Sequence, residues 1–213
     1  MRKTILIILS FISINCFCQT QTEFYIENVK YIKYITLNFC VDNEGKTSAV
    51  TIIPEKTTIN DSTFQSKIIE YRKSIQYYPD TKLKNNCYDQ IFTFIDKELE
   101  SCSISDNDFL KLDIIKTGTY KYENPNYKNT VITRTENLQV EETNGVVYKY
   151  KIEWPKPNQY ILTYLEVGEK ENEYLIGEKI YVDIVKQIDS KTYAYKSKLL
   201  DRDIVTGIIS KFD

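Results

Sequence analysis

The side chains whose types and spacing could do chemistry together are Arg134, Gln139, Glu141, Tyr148, Tyr150 and Trp154. Two turn signals, Glu136-Asn137 and Asn144-Gly145, punctuate the stretch that holds them. If both are two-residue hairpin loops, Arg134 lies opposite Gln139, Gln139 opposite Tyr150, and Glu141 opposite Tyr148. Arg134 and Glu141 then become diagonal neighbours on one sheet face. An ion pair ringed by aromatic side chains either lines a small ligand cavity or is a structural salt bridge inside a filled barrel. Reaction chemistry is harder to place. The chain contains no histidine, which removes Ser-His and Cys-His nucleophilic pairs, the usual general base and His-containing zinc sites. Its cysteines lack metal-ligand spacing, and no glycine-rich phosphate loop is present. Asp42-Asn43-Glu44 lacks the alternating acidic ligands and the distal glutamate of a calcium loop, so it reads as a hairpin turn. No pair of carboxylates suits a hydrolase. The sequence therefore assigns no catalytic, cofactor-binding or metal-binding residue, and no cofactor.

The elements that must position these residues follow from periodicity. Ile35, Leu37, Phe39 and Val41 alternate with Thr36, Asn38, Cys40 and Asp42, which predicts a half-buried strand. A turn around Gly45 leads into a second strand over 47–53, stopped by Pro54. Ser62 with Gln65 forms a capping box, and Phe64, Ile68, Tyr71 and Ile75 continue at helical spacing. Residues 87–96 read as a third strand. The order is β-β-α-β, preceded by a lead-in over 19–31 that has room for one short helix or strand. Residues 98–107 are acidic and serine-containing and read as a linker. Beyond them the pattern is strands alone, over 119–122, 130–136, 138–142, 146–154, 160–167, 179–188, 192–199 and 204–212. Short turns between them suggest an antiparallel meander, closed as a small barrel or folded as a sandwich. The expected class is α+β. The domains are 1–18 as a signal peptide, 19–97, the linker 98–107, and 108–213.

The leader has Arg2 and Lys3, a short apolar core, and Cys16-Phe17-Cys18 just before Gln19. That is the pattern of a cleaved secretory signal. The alternative is lipid anchoring at Cys16. No transmembrane span is expected after cleavage. The formal net charge is −2 and becomes more negative once Arg2 and Lys3 are removed. A mildly acidic chain without a basic block argues against nucleic acid as a partner. An exported chain meets oxidising conditions, so Cys40, Cys87 and Cys102 imply one disulfide and one leftover thiol.

The stretch "YITLNFCVDNEGKTSAVTII", the helix ending in "IQYYPD" and the strand "LKNNCYDQIFTFID" together resemble the C-terminal domain of TonB-type proteins. The likeness spans residues 31–96. The second half is similar to a family of small exported Bacteroidetes β-domains of unknown function, some of whose members carry a DNA topoisomerase IV label. The matching residues are "KTGTY", Arg134, Gln139 with Glu141, and "IEW". An exported chain of this length without an ATP-binding motif does not fit strand passage.

The TonB resemblance implies binding of an extended peptide by strand addition, without the Pro-rich linker of an energy transducer. The edge offered is the third strand, with Tyr88, Gln90, Ile91, Phe92, Thr93 and Phe94. The resemblance also places the first strand between the other two, which sets the end of the first, Cys40, against the start of the third, Cys87. A Cys40–Cys87 disulfide follows, leaving Cys102 free or linked to another chain. The expected function is an exported, non-enzymatic envelope protein of the periplasm or cell envelope that binds another envelope protein or an extended peptide. The alternative is a lipocalin-like carrier of a small ligand in the second domain.

Overall fold

A computed structural model describes residues 20–101, 115–199 and 202–212. The leader with Cys16, most of the expected linker, and Cys102 lie outside the described residues. The first module is a four-stranded sheet with one helix. Its strands are β1 (Thr20–Ile26), β2 (Ile32–Val41), β3 (Thr47–Ile52) and β4 (Asn86–Asp96), and the helix α1 is Ser62–Lys73. The sheet order is β1-β4-β2-β3. The second module runs β5 (Gly118–Tyr122), β6 (Thr130–Arg134), β7 (Leu138–Thr143) and β8 (Val146–Lys156). It continues with β9 (Gln159–Glu166), β10 (Lys179–Gln187), β11 (Thr192–Leu199) and β12 (Arg202–Lys211). These eight strands close into an antiparallel barrel, with β12 pairing to β5.

The protein is therefore mainly β, not α+β. Among the described residues a single α-helix serves the first sheet, and strands joined by loops and short 3-10 turns make up most of the rest. The short element of the lead-in is a strand: residues 20–26 form β1, a fourth strand that pairs in parallel with β4.

Local chemistry explains the elements around the disulfide. Asp42 Oδ1 accepts from the Glu44 and Lys46 backbone N–H groups at 2.9 and 2.8 Å. Gly45 takes φ +82°, and a Cβ there would meet the Tyr77 carbonyl oxygen at 2.7 Å. The hairpin needs glycine at this point on both counts. Cys40 pairs with Cys87 across β2 and β4, and the two form a disulfide with Cα atoms 3.9 Å apart. The helix starts one residue earlier than the expected capping box. Asp61 is the cap, its carboxylate accepting from the Phe64 N–H at 2.9 Å, while Gln65 Nε2 donates to the Ile59 carbonyl instead. A carboxylate suits the positive end of the helix dipole better than a hydroxyl.

Alternation in β2 and β4 splits their side chains between two cores. Ile35, Leu37, Phe39, Phe92 and Phe94 face α1, with Phe64 and Ile68 packed over them. Ile32, Tyr34, Ile91 and Ile95 face the other way, onto Val185, Ala194 and Ile208 of the barrel's outer wall. Leu99, within the expected linker, is buried in that same junction. Polar ties fix the contact. Glu23 accepts from the Thr206 N–H at 2.6 Å and from Thr206 Oγ1 at 2.9 Å. Asn126 Nδ2 donates to Thr36 Oγ1 at 3.0 Å, and Lys196 Nζ to the Glu100 carbonyl at 3.0 Å.

Candidate functional site

Inside the barrel, the pairing of β6, β7 and β8 sets the geometry. Arg134 is opposite Gln139, Gln139 opposite Tyr150 and Glu141 opposite Tyr148. Two features produce this register. The Thr135 N–H donates to the Leu138 carbonyl around the loop Glu136-Asn137, and Asn144 and Gly145 both take positive φ, as a tight hairpin turn requires. Tyr150, Ile152, Tyr160, Leu162, Tyr193 and Ile209 point inward with them.

The expected ion pair is corrected at one point. Arg134 and Glu141 do not touch; Gln139 stands between them. Arg134 Nε donates to Gln139 Oε1 at 2.7 Å, and Gln139 Nε2 donates to Glu141 Oε1 at 2.6 Å. Residues directly opposite on paired strands are closer than diagonal ones, so the in-register amide intercepts the contact. The other nitrogens of Arg134 donate to Tyr193 Oη at 2.7 Å and Tyr160 Oη at 3.0 Å. The guanidinium also lies 4.8 Å from the Tyr120 ring and 4.7 Å from the Tyr160 ring. Arg134 is 2% exposed and Gln139 1%.

The cluster divides along the barrel axis. Trp154 lies beyond Arg134 at one end, its ring 4.8 Å from that of Tyr160, with Lys116 Nζ 5.9 Å from the indole. Glu141 lies towards the other end. Tyr122 Oη donates to its Oε1 at 3.0 Å. Tyr150 and Tyr164 pack ring against ring at 4.8 Å beside it. Tyr148 donates to Glu169 Oε2 at 3.2 Å and accepts from Asn172 Nδ2 at 2.9 Å, which ties the turn Lys170–Leu175 to the barrel at that end.

The electrostatics follow from burial. Burial alone would lower the Arg134 pKa, but the tyrosine oxygens of Tyr160 and Tyr193 turned towards it hold it above its ordinary value. It is a fixed cation. Burial raises the Glu141 pKa, against the hydrogen bonds from Tyr122 and Gln139 and the charge of Arg134. Tyr164 is pushed up to about 12, first by burial and then by Glu141.

The second candidate site, the strand edge of β4, is occupied by the chain itself. β1 runs alongside it from Thr20 opposite Gln90 to Ile26 opposite Asp96. Of the expected edge residues, Phe92 and Phe94 stack on Phe24 of β1, at 6.2 and 5.6 Å between ring centroids. Gln90 Nε2 donates to Thr22 Oγ1 at 3.2 Å. Ile91 and Thr93 are buried, and Ile91 belongs to the core shared with the barrel. Tyr88 lies past the start of β1 and donates to the Leu83 carbonyl at 3.1 Å. An edge of backbone donors and acceptors next to bare phenylalanine rings favours such cover, and the lead-in supplies it.

Sequence reasoning did not find the tyrosines that hold Arg134. Tyr160 and Tyr193 lie 26 and 59 residues away in the chain. Their inward parity on β9 and β11 was the available signal. Among the described residues no group of three His, Cys, Asp or Glu side chains could hold a metal ion, and no helix is long and apolar enough to cross a membrane. Comparison of the chain with models of protein families, with curated proteins and with solved structures finds no match.

Proposed function

We propose that the protein is an exported, non-enzymatic component of the cell envelope that binds an extended segment of another envelope protein through its first module. The observation that carries this reading is the β4 edge. It accepts an extended segment over seven consecutive residue pairs, with Phe24 seated on Phe92 and Phe94. The resident segment is the chain's own β1, so a partner strand acts by taking its place. The Cys40–Cys87 disulfide supports an oxidising compartment, and the leader supports export.

Photo-crosslinking in the intact envelope tests this. A crosslinker replaces Tyr88, just before the start of β1, or Tyr181, exposed on the barrel wall. The expected result is one envelope protein captured at Tyr88 and not at Tyr181, with capture suppressed by excess peptide of residues 20–26. Equal capture at both positions, or indifference to the peptide, refutes strand addition.

A second reading, carriage of a small ligand by the barrel, is supported by one observation. Glu141, Tyr122, Tyr148 and Tyr164 are half-buried, whereas the Arg134 layer is filled by side chains.

A further inference from the structure

We propose that the less tightly filled end of the barrel binds a small organic cation, an alkylammonium or quaternary ammonium group, seated on the Glu141 carboxylate beside the neighbouring tyrosine rings. This rests on the second reading, small-ligand carriage, and names its ligand class.

The barrel interior changes character along its axis. At the level of Arg134, Gln139, Tyr160 and Tyr193 it is fully buried. One layer further on, Glu141, Tyr122, Tyr148 and Tyr164 are each partly exposed. This end of the barrel is therefore less tightly filled than the Arg134 layer. Both internal donors, Tyr122 Oη and Gln139 Nε2, use the same oxygen, Oε1. Among the hydrogen bonds of the described residues none reaches Oε2, so that oxygen keeps its acceptor capacity. The walls are aromatic. Tyr150 and Tyr164 present rings tilted by 53° to one another, and Tyr148 is held in place by Asn172 and Glu169.

This chemistry selects for positive charge. A cation gains from the ring faces and from the carboxylate together. A neutral ligand of the same shape must strip water from Glu141 without replacing the charge interaction. An anion meets both Glu141 and Glu169. The nearest protein cation, Arg134, reaches Glu141 only through an amide and is itself engaged by Tyr160 and Tyr193. Burial holds the Glu141 pKa above the ordinary carboxylate value in spite of that guanidinium.

The test uses choline and its uncharged isostere 3,3-dimethyl-1-butanol, each titrated into the whole protein by calorimetry and by tyrosine ring NMR. Choline should bind saturably and about tenfold more tightly than the isostere, from the cation–aromatic and carboxylate contributions. Glu141→Gln, checked for folding by circular dichroism, should bring choline down to the isostere's affinity. Equal affinity of the two ligands overturns the cation assignment and leaves small-ligand carriage standing. Binding of neither overturns both. Choline binding unchanged in Glu141→Gln also overturns the assignment. If that variant does not fold, the comparison of the two ligands on the unaltered protein decides.

Discussion

Replacing Arg134 with methionine keeps most of the side-chain volume inside the barrel and removes the cation. The packing loss is small, so the effect isolates the polar network. Four donor contacts disappear: to Gln139 Oε1, Tyr193 Oη, Tyr160 Oη and, at 3.4 Å, the Ile115 carbonyl. The two hydroxyls, 3.4 Å apart, keep the hydrogen bond they already share, which limits their loss to about 1 kcal/mol. Gln139 Oε1 has no such recourse and costs about 1–3 kcal/mol as an orphaned buried acceptor. Glu141 loses the charge that faced it through the amide. Removing one partner of a buried charged network costs about 3–5 kcal/mol in total, against about 5–15 kcal/mol for a whole domain. Urea unfolding followed by circular dichroism measures it. With a slope of about 2 kcal/mol per molar, the midpoint should fall by about 2 M. Adding Glu141→Gln to Arg134→Met should restore part of the loss, because the stranded carboxylate is then neutral. A midpoint shift below about 0.5 M for the single variant refutes the argument that Arg134 organises the barrel core.

Three further outcomes follow from the same geometry. Serine at both Cys40 and Cys87 opens a loop of 47 residues, and the chain-entropy account predicts a loss of about 4 kcal/mol, readable as a lower urea midpoint equal to that of the reduced wild type. Gly207→Ala places a Cβ 2.7 Å from Tyr195 Oη and 2.8 Å from its buried ring. Overpacking of this kind costs about 1–3 kcal/mol, and an unchanged melting temperature refutes it. The Glu141 pKa lies above the ordinary value of 4.5 in the folded protein. Its contribution to stability is therefore full below the unfolded-state value and is lost as pH rises through the folded one. Unfolding free energies measured from pH 4 upward should decline relative to Glu141→Gln, and parallel curves refute the sign.

Much of the barrel site was legible in local pattern. Asn144-Gly145 and the loop before Leu138 set the pairings of β6, β7 and β8, and period two then put Arg134, Gln139 and Glu141 on one face. What local pattern misjudged was which pair would touch. Distance across a sheet is decided by register, and the in-register Gln139 is nearer than the diagonal Glu141. The capping of α1 failed for a similar reason. Asp61 and Ser62 are adjacent, and geometry selected the carboxylate. The α+β class failed because one helix was given equal weight with a long run of strands.

The division between chain and fold is physical. Periodicity and turn residues act over a few positions, so the sequence alone determines where strands and the helix lie and which face of each is apolar. It also placed Cys40 and Cys87 for pairing, once the strand order was inferred from a resemblance. Closure of the barrel, the seating of Tyr160 and Tyr193 on Arg134, and the packing of Ile32 and Ile95 onto Ala194 and Ile208 join segments far apart in sequence. No local signal encodes them. β1 is the clearest case. Its seven residues carry a strand pattern too short to name a partner, and their place beside β4 is set by an unpaired edge and the exposed rings of Phe92 and Phe94, which exist only once the rest of the sheet has formed.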